Sequence, residues 1–141
     1  MSVKDSYATK YRPKKLSEVI GQPVVKKAFQ NAFKYNMLHH AYILAGKFGC
    51  GKTTIGRIIA ATENCEKGGQ DPCGECDNCK EIFEGRSFEV HEMDAGSHGG
   101  IEDIRELQKM IQMSPVKCRT RYVIIDEAHS LSGHAAEASL K

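Results

Sequence analysis

Residues 46–53 have the composition and spacing of a phosphate-binding loop. They read GKFGCGKT and match the pattern G-x-x-x-x-G-K-[S/T]. In such a loop the glycines let backbone N–H groups turn inward onto phosphate oxygens, Lys52 would reach the outer phosphates, and the Thr53 hydroxyl would ligate Mg²⁺. A chance glycine-rich turn is the alternative. The position of the pattern, directly after a predicted strand and directly before a predicted helix, favours phosphate binding.

An acidic pair, Asp126 and Glu127, follows the apolar residues Ile124 and Ile125. Asp126 would hold Mg²⁺ directly or through water, and Glu127 would polarise the attacking water. An isolated acidic pair after a strand is commonly an ordinary solvated loop. Together with the phosphate-binding loop, however, it supplies the two carboxylates that metal-assisted phosphoryl transfer needs.

Four cysteines lie close together in a segment that has almost no large apolar side chains. Cys65, Cys73, Cys76 and Cys79 have the spacing C-x7-C-x2-C-x2-C within residues 65–80. Four thiolates at this spacing predict a closed, structural Zn²⁺ site, which would order a segment that cannot build its own core. A redox C-x-x-C pair formed by Cys76 and Cys79 is the alternative, but the pair opens no recognisable helix.

The surrounding residues predict elements that alternate between helix and strand. The predicted helices run from Pro23 to about Asn36, from the phosphate-binding loop to about Asn64, and from Ile101 to the Ser114-Pro115 stop. The predicted strands are a doubly buried strand over Ala41–Ala45, then Phe88–Ala95 and Arg121–Asp126, with a flexible turn over Ser97–Gly100. This alternation predicts an α/β fold with a mainly parallel sheet.

Length and charge limit the class of protein. The 141 residues, with 40% hydrophobic and 27% charged side chains, suffice for one modest domain. No apolar run is long enough to span a membrane and no signal peptide is apparent, so we expect a soluble, cytoplasmic chain with reduced thiols. Residues 1–40 carry eight Lys and Arg against two acidic side chains, a local charge of +6. This basic segment is typical of a neighbouring polyanion or of an ordinary solvated terminus.

The order of these motifs resembles one family. Ahead of the phosphate-binding loop lie Tyr11-Arg12-Pro13 and Val19-Ile20-Gly21-Gln22, and after it come the four cysteines, MDAGSHGGIEDIRELQ and YVIIDEAH. From about Lys10 onward the chain resembles the bacterial clamp-loader gamma/tau subunits of DNA polymerase III, which are AAA+ ATPases. The resemblance implies a P-loop NTPase (AAA+) fold, a three-layer α/β core with a parallel sheet and an inserted zinc module at residues 65–80. Residues 1–141 would be the N-terminal part of the ATPase domain.

The resemblance also assigns site residues. It implies that Lys52, Asp126 and Glu127 are catalytic, that Thr53 and Asp126 hold Mg²⁺, and that the four cysteines hold Zn²⁺. An adenine-side pocket and a triphosphate cradle would be formed by Tyr11, Arg12, Val19, Ile20, Gly46, Gly49, Cys50, Gly51, Lys52, Thr53 and Thr54. The turn Ser97–Gly100 is similar to the family's element that faces the DNA backbone, with a plain helix cap as the alternative.

The function implied by the resemblance is that of an ATP-binding and ATP-hydrolysing subunit that opens a sliding clamp and loads it onto primed DNA. The expected ligands are ATP, Mg²⁺ and Zn²⁺. The expected partners are the other subunits of a pentameric loader, the sliding clamp, primer–template DNA and the core of the DNA-directed DNA polymerase III; no membrane is involved. Alternatives are a non-catalytic, zinc-stabilised binding module or remnant, and a helicase fragment in which residues 126–129 (DEAH) are the signature. The zinc insertion and the YRP and VIGQ segments argue against the helicase.

The last residues of the sequence fall in the helix expected after the acidic pair. The family's sensor strand, arginine finger, helical lid and collar domain are not in these 141 residues. A sheet without its middle strand would expose apolar surface and unpaired backbone groups. We therefore expect this polypeptide alone to be poorly folded and to hydrolyse ATP slowly or not at all.

Overall fold

The computed structural model describes residues 7–139, which form two compact units that divide between Glu84 and Gly85. Among these residues no helix is both long and apolar enough to cross a bilayer. The phosphate-binding loop and the four cysteines belong to the first unit, and the acidic pair belongs to the second.

The first unit is helical. Its helices are α1 (Tyr7–Lys10), α2 (Pro23–Lys34), α3 (Lys52–Glu63) and α4 (Asp77–Phe83), and a 3₁₀ turn lies at Leu16–Glu18. Pro23 begins α2 because its fixed φ suits the first turn of a helix, where an N–H is not needed. The predicted apolar stripe of α3 is confirmed, since Ile55, Ile58 and Ile59 are all buried.

The prediction that Ala41–Ala45 forms a doubly buried strand is wrong. The segment has no strand partner among the described residues, and the Ile43 side chain is 96% exposed. The Tyr42 ring instead packs edge-on against Phe29, with ring centroids 5.0 Å apart. A strand must satisfy its N–H and C=O groups through a neighbour, so an apolar run without a neighbouring strand does not become part of a sheet.

The second unit contains the parallel sheet. Its elements are β1 (Val90–Asp94), α5 (Ala95–His98), α6 (Ile101–Gln112), β2 (Tyr122–Asp126), a 3₁₀ turn at Ala128–Ser130, and α7 (Gly133–Ser139). Strands β1 and β2 pair in parallel from Val90 opposite Tyr122 to Asp94 opposite Asp126. Ile104, Leu107 and Ala135 form the buried core beside this pair. The parallel α/β arrangement is thereby confirmed for two strands, and a third layer stays a prediction.

Two boundaries in the second unit differ from the prediction. Strand β1 begins at Val90 because Phe88 is exposed and adds no buried face to the sheet. The first half of the predicted flexible turn over Ser97–Gly100 is instead the end of helix α5, and Gly99 and Gly100 connect α5 to α6. The Asp94 carboxylate caps α5 by accepting the Gly96 N–H at 2.8 Å and the Ser97 hydroxyl at 3.2 Å.

A buried ion pair secures the loop that leads into β2. The Arg121 side chain donates to Glu89 Oε2 through Nε at 2.9 Å and Nη2 at 2.7 Å. The other carboxylate oxygen accepts the Val116 N–H at 2.7 Å, and Arg121 Nη1 donates to the Met110 and Met113 carbonyl oxygens. The pair therefore joins the end of α6, the loop and both strands through charge-assisted bonds.

Candidate nucleotide and metal sites

The phosphate-binding loop has the backbone that its glycines permit. Gly49 and Gly51 have φ values of 77° and 93°, in the left-handed region that glycine adopts with little strain. Gly51 directly precedes α3, and no side chain caps that end of the helix. The N-terminus of a twelve-residue helix is thus placed where the motif would put a phosphate.

Lys52 and Cys50 close the loop on itself. The Lys52 ammonium donates to the carbonyl oxygens of Gly46 and Lys47, each at 3.0 Å. A Cβ atom at Gly46 would lie 2.8 Å from Cys50 Sγ, so a larger residue there would require the Cys50 side chain to move. All the loop residues predicted from the sequence lie together in this turn and the first turn of α3, namely Gly46, Gly49, Cys50, Gly51, Lys52, Thr53 and Thr54.

The acidic pair occupies the end of β2, as the sequence predicts. Asp126 is the last residue of the strand, and its Oδ1 accepts the Glu127 N–H at 3.0 Å. Glu127 has a φ of 50°, a left-handed conformation, and its carboxylate lies 3.3 Å from His129 Nδ1. Sequence reasoning missed Asp94, which lies opposite Asp126 in the strand register. The one sequence feature that could have pointed to Asp94 is that each of the two predicted parallel strands ends in an acidic residue.

The four residues expected at the adenine side do not share one environment. Tyr11 and Arg12 line a cleft of about 420 Å³, together with Lys10, Pro13, Lys14, Lys15, Glu18, Cys73, Gly74 and Glu75. Val19 is buried, and its carbonyl oxygen accepts the Lys26 ammonium at 2.9 Å. Ile20 is almost fully exposed. The structure therefore groups Tyr11 with Arg12, and it does not place Val19 or Ile20 in this cleft.

The four cysteine sulfurs fit a tetrahedral metal site. Those of Cys65, Cys73, Cys76 and Cys79 all lie within 4.8 Å of one another, and the Cys73 and Cys79 sulfurs are 4.0 Å apart. Zinc–sulfur bonds of about 2.3 Å in a tetrahedron place the sulfurs about 3.8 Å apart, close to this arrangement. The donor set is soft, complete and without an open position, so it suits a structural Zn²⁺.

Backbone N–H groups prepare one of these thiols for deprotonation. Cys73 Sγ accepts N–H bonds from Cys76 at 3.3 Å and Glu75 at 3.4 Å, which lower the Cys73 pKa to about 6. Burial raises the pKa of Cys79 above its ordinary value. A divalent cation would offset the cost of a buried Cys79 thiolate, because metal ligation favours the deprotonated form.

The prediction that Cys76 and Cys79 open no helix is wrong. Cys76 caps α4, with its sulfur accepting the Cys79 N–H at 3.5 Å. Helix α4 was not predicted because its seven residues are too few to show an apolar period. The grouping of four sulfurs nevertheless favours metal binding over a two-cysteine redox site.

The turn before α6 has the geometry of a helix cap. The Asp103 carboxylate accepts the Gly100 N–H at 3.1 Å, and Glu102 adds a second acidic side chain to the first turn. A Cβ atom at Gly99 would lie 2.2 Å from the Ala95 carbonyl oxygen, so close packing accounts for this glycine. Two carboxylates at the helix N-terminus oppose a phosphate there, which favours the plain cap over a DNA contact.

Comparison with known proteins supplies the family. A family model described as DNA polymerase III, delta subunit, matches residues 21–141. The chain belongs to this family. Within the DNA polymerase III family it is similar to the subunit tau/gamma of Haemophilus influenzae, with 45% identity over 95% of this chain and 20% of that protein. It is 43% identical to the subunit tau of Escherichia coli over 95% of this chain and 21% of that one.

A shorter relative gives the same result. The chain is 42% identical to the DNA polymerase III subunit gamma of Buchnera aphidicola subsp. Acyrthosiphon pisum, over 95% of this chain and 37% of that protein. The predicted resemblance to gamma/tau subunits is therefore confirmed. The chain spans about a fifth of the length of the longer relatives.

Proposed function

We propose that the chain is the nucleotide-binding part of a clamp-loader ATPase subunit of DNA polymerase III. The closed loop before α3 carries this proposal, because the Lys52 ammonium and the N-terminus of α3 place positive charge beside the same loop. Membership in the DNA polymerase III family favours a clamp-loader subunit over the DEAH helicase interpretation.

In the proposed mechanism the loop residues bind and orient ATP. The Lys52 ammonium exchanges its two carbonyl partners for phosphate oxygens, and the backbone of residues 46–53 surrounds the phosphates. Mg²⁺, held by Thr53 and Asp126, would neutralise phosphate charge. Glu127 would orient and polarise the attacking water. Tyr11 and Arg12 would contact the nucleoside from the cleft that they line.

The proposed biological role is to open a sliding clamp and to close it around primed DNA, as one subunit of a pentameric loader that serves the polymerase III core. The names of the relatives support a role among DNA polymerase III subunits. The basic segment of residues 1–40 suits contact with nucleotide or DNA phosphates, which would add affinity without reading sequence.

Nucleotide binding tests the proposal. We expect the zinc-loaded chain to bind a fluorescent ATP analogue with Mg²⁺, and Lys52→Ala to weaken binding by about 10- to 100-fold because a charge-assisted contact is lost. Lys47→Ala is the matched control, since it removes the same charge from the same loop at a position that the motif leaves free. Equal weakening by both variants, or no binding by the folded wild-type chain, would contradict the proposal.

One observation favours a second candidate, a zinc-stabilised module that binds nucleotide or partners without turnover. The segment that precedes the phosphate-binding loop has no strand partner among the described residues, so no sheet hydrogen bonds anchor that side of the loop. Binding without hydrolysis, even when the remaining part of a gamma/tau relative's ATPase domain is supplied, would favour this candidate.

A further inference from the structure

The cysteine module, residues 65–83, contacts residues 11–16, the segment that carries Tyr11 and Arg12. The Leu16 N–H donates to Asp71 Oδ1 at 2.7 Å, across 55 residues of sequence. Leu16 is fully buried, so water does not compete freely for this bond. A carboxylate is a strong acceptor for a backbone N–H, and the bond therefore fixes the chain a few residues beyond Tyr11 and Arg12.

Two further contacts link the same parts of the first unit. The cleft that contains Tyr11 and Arg12 is also lined by Cys73, Gly74 and Glu75. The Lys14 ammonium lies 5.8 Å from the centroid of the Phe83 ring, at the end of α4. Residues 11–16 thus contact the cysteine module at two places, the loop before α4 and the last residue of α4.

Asp71 lies in the loop that a metal site at the four cysteines would close. Asp71 lies between Cys65 and Cys73, and it is followed by Pro72, which is fully buried and has a fixed φ. Closing a metal site through Cys65 and Cys73 restricts the intervening loop and with it the Asp71 carboxylate. Without the metal, this loop has little apolar surface to hold it in place.

We propose that Asp71 is a positioning residue that links occupancy of the four-cysteine site to nucleotide affinity. This inference rests on the proposed nucleotide-binding function. Bound Zn²⁺ fixes Asp71, Asp71 fixes Leu16, and the segment that carries Tyr11 and Arg12 is then held in its binding conformation. The nucleotide no longer has to order that segment, so its affinity rises. The coupling is reciprocal, and bound nucleotide raises metal affinity by the same factor.

The test compares substitutions at Asp71 with a control in the same module. Asp71→Ala removes the acceptor, Asp71→Asn keeps an uncharged oxygen, and Glu66→Ala removes an exposed carboxylate that does not line the cleft. Three quantities are measured on the full chain: zinc per chain, hydrogen exchange of the Leu16 amide, and the dissociation constant of a fluorescent ATP analogue.

We expect Asp71→Ala to keep its zinc, to lose protection of the Leu16 amide, and to bind the analogue about tenfold more weakly, as loss of one charge-assisted bond implies. Asp71→Asn should fall between Asp71→Ala and wild type, and Glu66→Ala should match wild type. Removing zinc from the wild-type chain with a chelator should raise Leu16 exchange to the level of Asp71→Ala.

Three results would overturn the inference: unchanged Leu16 exchange in Asp71→Ala, unchanged nucleotide affinity in that variant, or loss of its zinc, which would place Asp71 in the metal site itself. Failure of the proposed function has a different signature. In that case the wild-type chain keeps its zinc and its Leu16 protection but binds no nucleotide.

Discussion

The Glu89–Arg121 pair shows how much depends on the burial of single side chains. The two side chains are only 5% and 11% exposed, and every polar atom of the Glu89 carboxylate has a donor. Glu102 and Arg105 form another ion pair at a similar distance, but their side chains are 78% and 57% exposed. Solvent screens the second pair and not the first, so similar geometry has different energetic value.

We expect Arg121→Ala to destabilise the chain by about 3 kcal/mol or more, because it leaves the Glu89 carboxylate buried and without its cation. Arg105→Ala is the matched control and should change stability by less than about 1 kcal/mol, since its pair is exposed. Urea denaturation followed by circular dichroism measures both. Equal effects of the two substitutions would contradict the structural role assigned to Arg121.

The same pair predicts a dependence on pH. Burial raises the pKa of Glu89, but the bonds from the Val116 N–H and from Arg121 outweigh it and hold the pKa below the ordinary glutamate value of 4.5. A lowered carboxyl pKa contributes stability that is present above the unfolded-state value and is lost as the pH falls through the folded-state value. Stability should therefore decline below about pH 4.5. Glu89→Gln should show a shallower decline in urea midpoint over that range, and an unchanged slope would refute this origin.

At the scale of elements, sequence reasoning succeeded where the signal is local. The apolar period of α3 and α6, Pro23 at the start of α2, and the two paired strands were all predicted, because each follows from nearby residues. The segment around Ile43 was not, since strand formation depends on a distant neighbour. The motif predicted where the glycine-rich loop meets α3, and phosphate binding there stays a prediction. Asp71 could not be predicted, because only the folded chain brings it to Leu16.

Helix α4 and the loop before it contain the four clustered cysteines. We expect about one Zn²⁺ per chain, and we expect Cys73→Ser to lose the metal and to unfold residues 65–83, because this segment has little core of its own. Cys118→Ser is the control, since Cys118 lies in the second unit. Elemental analysis and hydrogen exchange of α4 make the comparison. Retained zinc in Cys73→Ser would contradict the four-cysteine assignment.

At the scale of the molecule, the proposed active-site residues are distributed over two compact units. Residues 46–53 lie in the first unit, and Asp126 and Glu127 lie in the second. The net charge of the whole chain is only +2, although residues 1–40 alone carry +6, because the remaining residues are acidic overall. The order of the motifs predicted the family correctly, because that order can be read directly along the chain without knowledge of the fold.

We expect the chain alone to bind ATP but to release phosphate slowly or not at all, because the unpaired segment before the loop leaves the loop without support from a sheet. Phosphate release and nucleotide binding should be measured on one preparation. Glu127→Gln should leave nucleotide binding unchanged and should lower any residual phosphate release, because it removes the carboxylate proposed to polarise water. Rapid turnover that Glu127→Gln abolishes would show that these residues already form a working site.

The internal bonds of Lys52 have a thermodynamic consequence. Since its ammonium already donates to two carbonyl oxygens of the loop, an arriving phosphate replaces contacts instead of adding them. The heat released on association should then be small for so polar a ligand, and little configurational freedom is lost because the loop is already closed. Titration calorimetry would register nucleotide capture as weakly exothermic, with an affinity that arises mainly from charge neutralisation and the release of bound ions and water.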